Sequence, residues 1–151
     1  MEIERKFLID KIPFSLDGFH KRIIEQAYLC TEPVVRVRRD NDDYYLTYKS
    51  KGLIVREEYN LPLTRESYEH LLAKADGIVL TKARYEIPQP DGLIIELDIF
   101  SGKYDGLRLA EVEFESEEQA HSYTPPDWFG EDVSLSSEYH NSTLACAGLN
   151  F

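Results

Sequence analysis

Charged residues recur two positions apart along most of the chain, and this spacing limits how the chain can fold. Side chains of a β-strand alternate between the two faces of a sheet, so each set lies on one face. In residues 95–99, Ile-Glu-Leu-Asp-Ile, apolar side chains take one face and carboxylates the other. The seven sets are Glu2, Glu4 and Lys6; Arg36 and Arg38; Lys49 and Lys51; Arg56 and Glu58; Lys82 and Arg84; Glu96 and Asp98; Glu111 and Glu113.

The sequence predicts a mainly β (α+β) domain with about eight strands. Runs of β-branched and aromatic residues, bounded by Gly, Pro and Asp-rich turns, place them near residues 1–9, 22–31, 34–39, 44–51, 53–61, 78–87, 93–100 and 107–115. Helices are predicted at 64–77, with Thr64 as N-cap and Gly77 as C-terminal stop, and at 116–123 and 139–147. Strands that are mostly consecutive favour antiparallel pairing, hence a closed barrel or a sandwich.

Length and composition exclude several classes of protein. A chain of 151 residues fits one domain, here taken as 1–151. We predict no membrane span and no signal sequence, because no apolar run is long enough and the chain begins with acidic residues. Two cysteines indicate a reducing, cytoplasmic setting. A formal net charge of −11 disfavours general binding to nucleic acid or to a membrane surface.

The charged faces of the strands could lie outside or inside the barrel. The simpler alternative is a sheet with one solvent-exposed face that carries cross-strand ion pairs. Such a surface should mix signs along each strand, but the sets at 36/38, 49/51 and 82/84 are purely basic and those at 96/98 and 111/113 purely acidic. Like charges on one face are unfavourable unless something of opposite sign lies between them. If helices cover the apolar outer face, the charges must face inward, and we favour this arrangement.

A charged interior of this kind predicts a compact polyanionic ligand with many oxygens. Its basic groups would be Lys6, Arg36, Arg38, Lys49, Lys51, Arg56, Lys82 and Arg84, which can bind phosphate through charge-assisted hydrogen bonds. The carboxylates Glu2, Glu4, Glu58, Glu96, Asp98, Glu111 and Glu113 would repel the same ligand. Their presence is explained if Mg²⁺ or Mn²⁺ links them to phosphate oxygens. The sequence has no glycine-rich phosphate loop, so we expect a site built from side chains on strands.

The ordered motifs resemble those of the triphosphate tunnel metalloenzymes, also called the CYTH superfamily. The first six residues contain Glu2-Ile3-Glu4-Arg5-Lys6, which matches the E-x-E-x-K signature of that family. The later matches are Arg36-Val37-Arg38, Tyr48-Lys49, Arg56-Glu57-Glu58, Lys82-Ala83-Arg84-Tyr85, Glu96-Leu97-Asp98, Glu111-Val112-Glu113 and Tyr139-His140-Asn141-Ser142. The resemblance implies an eight-stranded antiparallel tunnel that hydrolyses or transfers a triphosphate with Mg²⁺ or Mn²⁺. The chain looks most like the compact bacterial inorganic triphosphatases of this family.

The motifs lead to a hypothesis for the role of each charged group. We expect the basic residues to bind the phosphate chain, Lys51 less firmly because it adjoins the turn at Gly52, and Lys82 to act in catalysis as well. A divalent ion would be held by some of Glu2, Glu4, Glu111 and Glu113. The carboxylates expected to orient and deprotonate the attacking water are Glu4, Glu96 and Asp98.

Other functions remain open from the sequence. Within the same superfamily these are a class IV-type adenylate cyclase, a thiamine triphosphatase and a messenger-RNA cap triphosphatase, the last disfavoured because no basic groups are left to bind RNA. From a different class, a polyphosphate-binding module without catalysis would gain nothing from paired carboxylates. We expect a small-molecule triphosphate, inorganic tripolyphosphate first and nucleoside triphosphates second, as the substrate of a monomer or homodimer.

Overall fold

The computed structural model describes residues 1–146, and in this range nine strands form one antiparallel sheet that closes almost completely into a barrel. The strands are β1 (Glu2–Leu8), β2 (His20–Thr31), β3 (Val34–Asp40), β4 (Asp43–Lys49), β5 (Val55–Arg56), β6 (Glu58–Pro62), β7 (Asp76–Pro88), β8 (Ile94–Ser101) and β9 (Arg108–Glu113). Their order across the sheet is β5-β1-β9-β8-β7-β2-β3-β4-β6. The predicted mainly β class and antiparallel barrel are confirmed.

The two ends of this strand order, β5 and β6, are consecutive in sequence. β5 pairs with the start of β1, and β6 pairs with β4. Glu57 separates them because its backbone N–H donates to Ser50 Oγ and its carbonyl accepts from the Ser50 N–H, which removes it from the strand ladder. A single bent segment thus joins both edges of the sheet. The strand predicted at 53–61 is therefore divided into β5 and β6. This division explains why the structure has nine strands where the sequence predicted eight.

Local sequence explains the tightest connection and the most irregular strand. The β3–β4 hairpin turns through Asp40-Asn41-Asp42-Asp43, where Asn41 has a φ of 52°, a conformation that Asn tolerates well. β2 shifts register at Tyr28 against both of its neighbours. Such bulges bend a strand and change the direction of its side chains locally.

Three α-helices accompany the barrel in the described range: α1 (Arg65–Leu72), α2 (Glu117–Ser122) and α3 (Asn141–Ala145). α1 begins as predicted, because Thr64 and Ser67 form a reciprocal capping box. It ends earlier than predicted, and Gly77 lies in β7 with a φ of 72° instead of ending the helix. α3 covers part of the predicted segment 139–147, whose last residue lies outside the described range.

One of the two hydrophobic cores of residues 1–146 lies on the outer face of the barrel, and the other contains Leu80, Phe100, Leu109 and Leu144. Along β8, Ile95 and Leu97 are almost fully buried in a cluster that also contains Ala120 of α2. Glu96 and Asp98 alternate with them along the same strand and therefore project to the opposite, inner face. The alternation predicted for residues 95–99 therefore places the charges inside the barrel.

The C-terminal part of the described chain completes the wall and borders the interior. Residues 130–134 run along β1, where Gly130 N–H donates to Leu8 O at 2.7 Å and Val133 N–H donates to Lys6 O at 2.9 Å. α3 then packs on β2 and β7, with Leu144 fully buried. The sequence did not predict the pairing with β1, because this segment has no strand-like alternation. No helix in residues 1–146 is long and apolar enough to cross a membrane.

Candidate active site

The interior of the barrel holds a cavity of about 180 Å³ whose lining is almost entirely polar. Five basic and six acidic residues contribute to it, together with a few neutral ones. The lining residues are Glu2, Glu4, Tyr28, Val34, Arg36, Arg38, Lys49, Arg56, Glu58, Asn60, Arg84, Glu96, Glu111, Glu113, His140, Asn141 and Ser142. The inward orientation predicted for the charged strand faces is thus what the structure has.

The charges in the cavity are segregated by strand. β1, β9 and β8 are neighbours in the sheet, and they carry what we call the acidic wall: Glu2, Glu4, Glu96, Glu111 and Glu113. The remaining strands carry what we call the basic wall, Arg36, Arg38, Lys49, Arg56 and Arg84, together with one carboxylate, Glu58 of β6. A ligand in the cavity therefore meets cations on one side and carboxylates on the other.

Two arginines of the basic wall have no acidic partner in the described part of the chain. Arg36 donates from Nη2 to Thr47 Oγ1 at 3.3 Å, and its buried Nε makes no hydrogen bond there. Arg38 donates from Nε to Gln26 Oε1 at 2.8 Å. Burial, together with the charges of Arg36 and Arg84, lowers the pKa of Arg38 to about 9. Uncompensated guanidinium groups at such a depth favour binding of an anion.

Two other basic residues are held by carboxylates at the edge of the acidic wall. Lys49 Nζ lies 2.9 Å from Glu2 Oε1 and 3.3 Å from Glu58 Oε2. Arg56 Nη2 lies 3.8 Å from Glu2 Oε1. Burial raises the pKa of Glu2, whereas for Glu58 the effect of burial is outweighed by Lys49 and by hydrogen bonds that lower its pKa to about 2. Glu58 is consequently an ionised partner of Lys49.

Beneath the cavity surface lies a fully buried ion cluster. Arg84 makes a bidentate contact with Asp98, Nε to Oδ1 at 2.7 Å and Nη2 to Oδ2 at 2.9 Å. Lys82 Nζ is 2.8 Å from Asp98 Oδ2, and both of these side chains are 0% exposed. Both Asp98 oxygens are occupied, and Arg84 and Lys82 lower the Asp98 pKa against the effect of burial. This placement does not fit the predicted role of Asp98 in deprotonating water.

Lys82 and Lys6 occupy the same layer below the cavity surface. Burial lowers the pKa of Lys82 to about 7 even though Asp98 opposes the shift. Its Nζ also donates to Asn141 Oδ1 at 3.2 Å. Lys6 Nζ donates to the Tyr139 carbonyl at 3.1 Å and lies 3.5 Å from Glu111 Oε1. These two lysines therefore connect the strands to Tyr139 and to the first residue of α3.

The acidic wall contains like charges on directly opposed strand positions. Glu4 faces Glu113 across β1 and β9, and Glu111 faces Glu96 across β9 and β8. Among residues 1–146, no hydrogen bond or ion pair to the Glu4 carboxylate is formed. Burial and the charges of Glu111 and Glu2 raise its pKa to about 8. Like charges at opposed positions destabilise a sheet, so this wall is suited to a cation.

A hard divalent ion fits this donor set, although the wall is not a preformed metal cage. Within the described range, no three Asp, Glu, His or Cys side chains converge closely enough to hold a metal by themselves. Mg²⁺ commonly takes one or two protein carboxylates and completes its shell with water and substrate phosphates. Glu4, with no partner of its own, and Glu111, whose Oε1 makes no hydrogen bond in this range, supply such oxygens.

One predicted residue does not line the cavity. Lys51 was predicted to bind phosphate, but its side chain is 79% exposed and its Nζ contacts Glu32 Oε1 at 2.7 Å. β4 ends at Lys49 and the chain turns at once, so the alternation that would have brought Lys51 inward does not continue. Its assignment to the phosphate site is corrected accordingly.

Four of the polar lining residues were given no individual role from the sequence, although His140 and Ser142 lie in a matched motif. Asn60 continues the alternation from Glu58 and could have been found by it. Tyr28, His140 and Ser142 also line the cavity, and no alternation of charges points to them. Burial first, and then the nearby lysines and Arg56, lower the pKa of His140 to about 4. His140 is therefore neutral near neutral pH.

Comparison with known proteins gives consistent matches over nearly the whole chain. The CYTH domain matches residues 1–145. An inorganic triphosphatase of Nitrosomonas europaea is 40% identical over 148 residues, covering 95% of this chain and 96% of the relative. An inorganic triphosphatase of Acetivibrio thermocellus is 35% identical over 151 residues, covering 95% and 92%.

The structural comparison agrees with the sequence matches. A crystal structure of an inorganic triphosphatase superposes with a TM-score of 0.72 at 37% identity, covering 97% of this chain and 95% of that one. With its fold, its charged tunnel and these relatives, the chain belongs to the CYTH family.

Proposed function

We propose that the chain hydrolyses inorganic tripolyphosphate to orthophosphate and pyrophosphate in the barrel cavity, with the help of a divalent metal ion. The observation that carries this proposal is that Arg36 and Arg38 have no acidic partner among residues 1–146, while their guanidinium groups face a wall of carboxylates across a polar cavity. The two relatives named inorganic triphosphatases support it.

The basic wall binds the phosphate chain. Arg36 and Arg38 offer planar donor groups that match phosphate oxygens, and Lys49 and Arg56 add positive charge near Glu2. Arg84 is oriented by Asp98 from below the cavity surface. These groups neutralise charge that develops on the transferred phosphoryl group and on the leaving pyrophosphate, which is the main contribution a protein can make to this reaction.

The residues of the acidic wall that would hold Mg²⁺ or Mn²⁺ are Glu4 and Glu111, with Glu2 and Glu113 beside them. Such an ion would supply positive charge to neutralise phosphate oxygens and polarise the phosphorus. Glu4 must lose its proton to act as a ligand, because only the ionised carboxylate binds a hard cation well. The opposed carboxylates bring enough negative charge to offset a doubly charged ion.

Water is oriented by a carboxylate of the same wall. Glu96 lines the cavity, and its Oε2 is held 3.3 Å from Arg84 Nη1 and 3.6 Å from Arg22 Nη2. The water oxygen attacks the terminal phosphorus while the bridging P–O bond breaks, and its electron pair leaves with pyrophosphate. The proton of the water passes to Glu96 or Glu4. Asp98 and Lys82, both without exposure to the cavity, position Arg84 instead of reacting.

The shape of the cavity supports an inorganic substrate over an organic one. Among its lining residues in the described part of the chain, Val34 is the one aliphatic side chain, and the aromatic rings are those of Tyr28 and His140. A nucleobase or a thiamine ring needs apolar surface to stack on, and this lining offers little. Nucleoside triphosphates are therefore proposed as secondary substrates.

The proposal is tested by measuring products from tripolyphosphate, ATP and thiamine triphosphate at equal concentration with Mg²⁺ and with Mn²⁺. We expect orthophosphate, released fastest from tripolyphosphate. Pyrophosphate with cyclic AMP from ATP would instead make the protein a cyclase. Binding of tripolyphosphate without release of any product would make it a polyphosphate-binding module.

A further inference from the structure

Gln26 is a fully buried polar residue that the proposed mechanism does not use. It lies on β2, where it is 0% exposed and stands opposite Arg38 of β3. β2 separates the basic strands β7 and β3 in the sheet. The one residue of this strand that lines the cavity, within the described range, is Tyr28. Gln26 thus sits just behind the middle of the basic wall.

Its side chain links two lining residues by hydrogen bonds. Arg38 Nε donates to Gln26 Oε1 at 2.8 Å, and Gln26 Nε2 donates to Tyr28 Oη at 3.3 Å. The amide orientation follows from the chemistry, because a guanidinium group can donate but cannot accept. In the described part of the chain this is the one hydrogen bond that orients Arg38, and no carboxylate lies within ion-pair distance of it.

The neutral charge of this acceptor sets Arg38 apart from its neighbours. Arg84 is oriented by the Asp98 carboxylate, and Lys49 is held by the Glu2 carboxylate. Each of those contacts cancels much of the positive charge that it orients. An amide oxygen fixes the direction of a guanidinium group and leaves its full charge to the ligand.

We infer that Gln26 is a positioning residue that aims the Arg38 guanidinium at the phosphate chain without neutralising it. The inference rests on the proposed function and assigns a task to a side chain that does not itself touch the substrate. A glutamate of nearly the same shape at this position would still accept the hydrogen bond. It would also compete with phosphate for Arg38, and it would accept a hydrogen bond from Tyr28 Oη where the amide now donates one.

The experiment compares binding of inorganic tripolyphosphate, by calorimetry in EDTA, to the wild type and to three variants. Gln26→Glu keeps the shape and adds a charge, Gln26→Met keeps the length and removes the acceptor, and Gln119→Glu adds the same charge away from the cavity. Gln119 accepts from the Glu115 N–H near α2, a bond that Glu retains. We expect Kd to rise about 10- to 100-fold in Gln26→Glu, less in Gln26→Met, and not at all in Gln119→Glu.

Each outcome decides the inference. Wild-type Kd in Gln26→Glu, or a larger rise in Gln26→Met than in Gln26→Glu, would overturn it while leaving the proposed function intact. Thermal unfolding shows whether each variant is folded; if Gln26→Glu does not fold, Gln26→Met decides, since an unchanged Kd there would also overturn the inference. A wild type that neither binds nor hydrolyses tripolyphosphate would overturn the proposed function itself, and the inference with it.

Discussion

Glu4 is in an environment that opposes its ionisation until a cation arrives. It has no hydrogen-bond partner among residues 1–146, it faces Glu113, and its pKa is raised to about 8 by burial and by Glu111 and Glu2. We predict that Glu4→Gln lowers turnover of tripolyphosphate about 10²- to 10⁴-fold, because a metal ligand and a proton acceptor are lost. Phosphate release and calorimetric binding measure this; turnover at the wild-type rate would remove Glu4 from the mechanism.

The same shift predicts how the stability of the metal-free protein depends on pH. A carboxyl group whose pKa is raised on folding contributes stability that is fully present below its unfolded pKa, near 4.5, and is lost as pH rises through about 8. Glu4→Gln cannot ionise and escapes this loss. In EDTA, the Tm of the variant minus the Tm of the wild type should therefore increase as the pH is raised from about 5 to about 9. A Tm difference that stays constant over this range would contradict the shift.

Lys49 and Lys51 were both predicted from the sequence to bind phosphate, but only Lys49 lines the cavity in the structure. Lys49 contacts Glu2 and Glu58 in the cavity, and Lys51 contacts Glu32 on the surface. We predict that Lys49→Met raises the KM for tripolyphosphate at least about tenfold, whereas Lys51→Met leaves it unchanged. Steady-state kinetics of the two variants decide this. Equal effects would mean that Lys51 reaches the substrate after all.

At the scale of elements, α3 depends on a close approach to β7. A Cβ on Gly77, which has a φ of 72°, would lie 2.1 Å from the Ala145 carbonyl oxygen. Gly92 has a similar φ of 88°, but a Cβ there would have no neighbour within 4 Å. Gly92→Ala therefore measures the cost of the backbone conformation alone, and the further loss in Gly77→Ala measures the steric overlap. We predict that Gly92→Ala costs about 1–2 kcal/mol and that Gly77→Ala costs about 1–3 kcal/mol more.

The comparison is made by urea unfolding and by turnover. α3 follows directly after His140 and begins with two residues that line the cavity, so displacing it should also lower activity. Gly92→Ala should leave turnover unchanged. If the two variants lose equal stability, the contact between α3 and β7 does not hold the helix in place.

Across the whole molecule, local patterns and topology contributed differently to what the sequence could predict. Alternation along one strand is a local property, so the common face of Glu96 and Asp98 could be derived from neighbouring residues alone. That this face is the inner one was inferred from the single-sign sets on several strands. The same reasoning failed at Lys51, because it could not tell where β4 stops. The capping residue Thr64 could be predicted for the same local reason. The end of α1 was misplaced because Gly77 is required for the close approach of α3 to β7, a tertiary contact, and not for ending the helix.

The separation into two walls could not be derived from the sequence. It arises because β9 pairs with β1, which brings Glu111 and Glu113 beside Glu4 although they are far apart along the chain. The depth of each side chain is also a property of the whole barrel. Asp98 and Glu96 are two residues apart on one strand, yet one is sealed between Lys82 and Arg84 and the other borders the cavity.

In the proposed mechanism, the basic wall binds the phosphate chain and the acidic wall holds a divalent ion. The most direct test is to measure orthophosphate release from tripolyphosphate with and without a divalent ion. We predict no release in EDTA, although the basic wall still binds the substrate, and full release after Mg²⁺ or Mn²⁺ is restored. Release at the same rate in EDTA, or none with either metal, would contradict a cavity in which arginines bind the phosphate chain and carboxylates hold the metal that activates it.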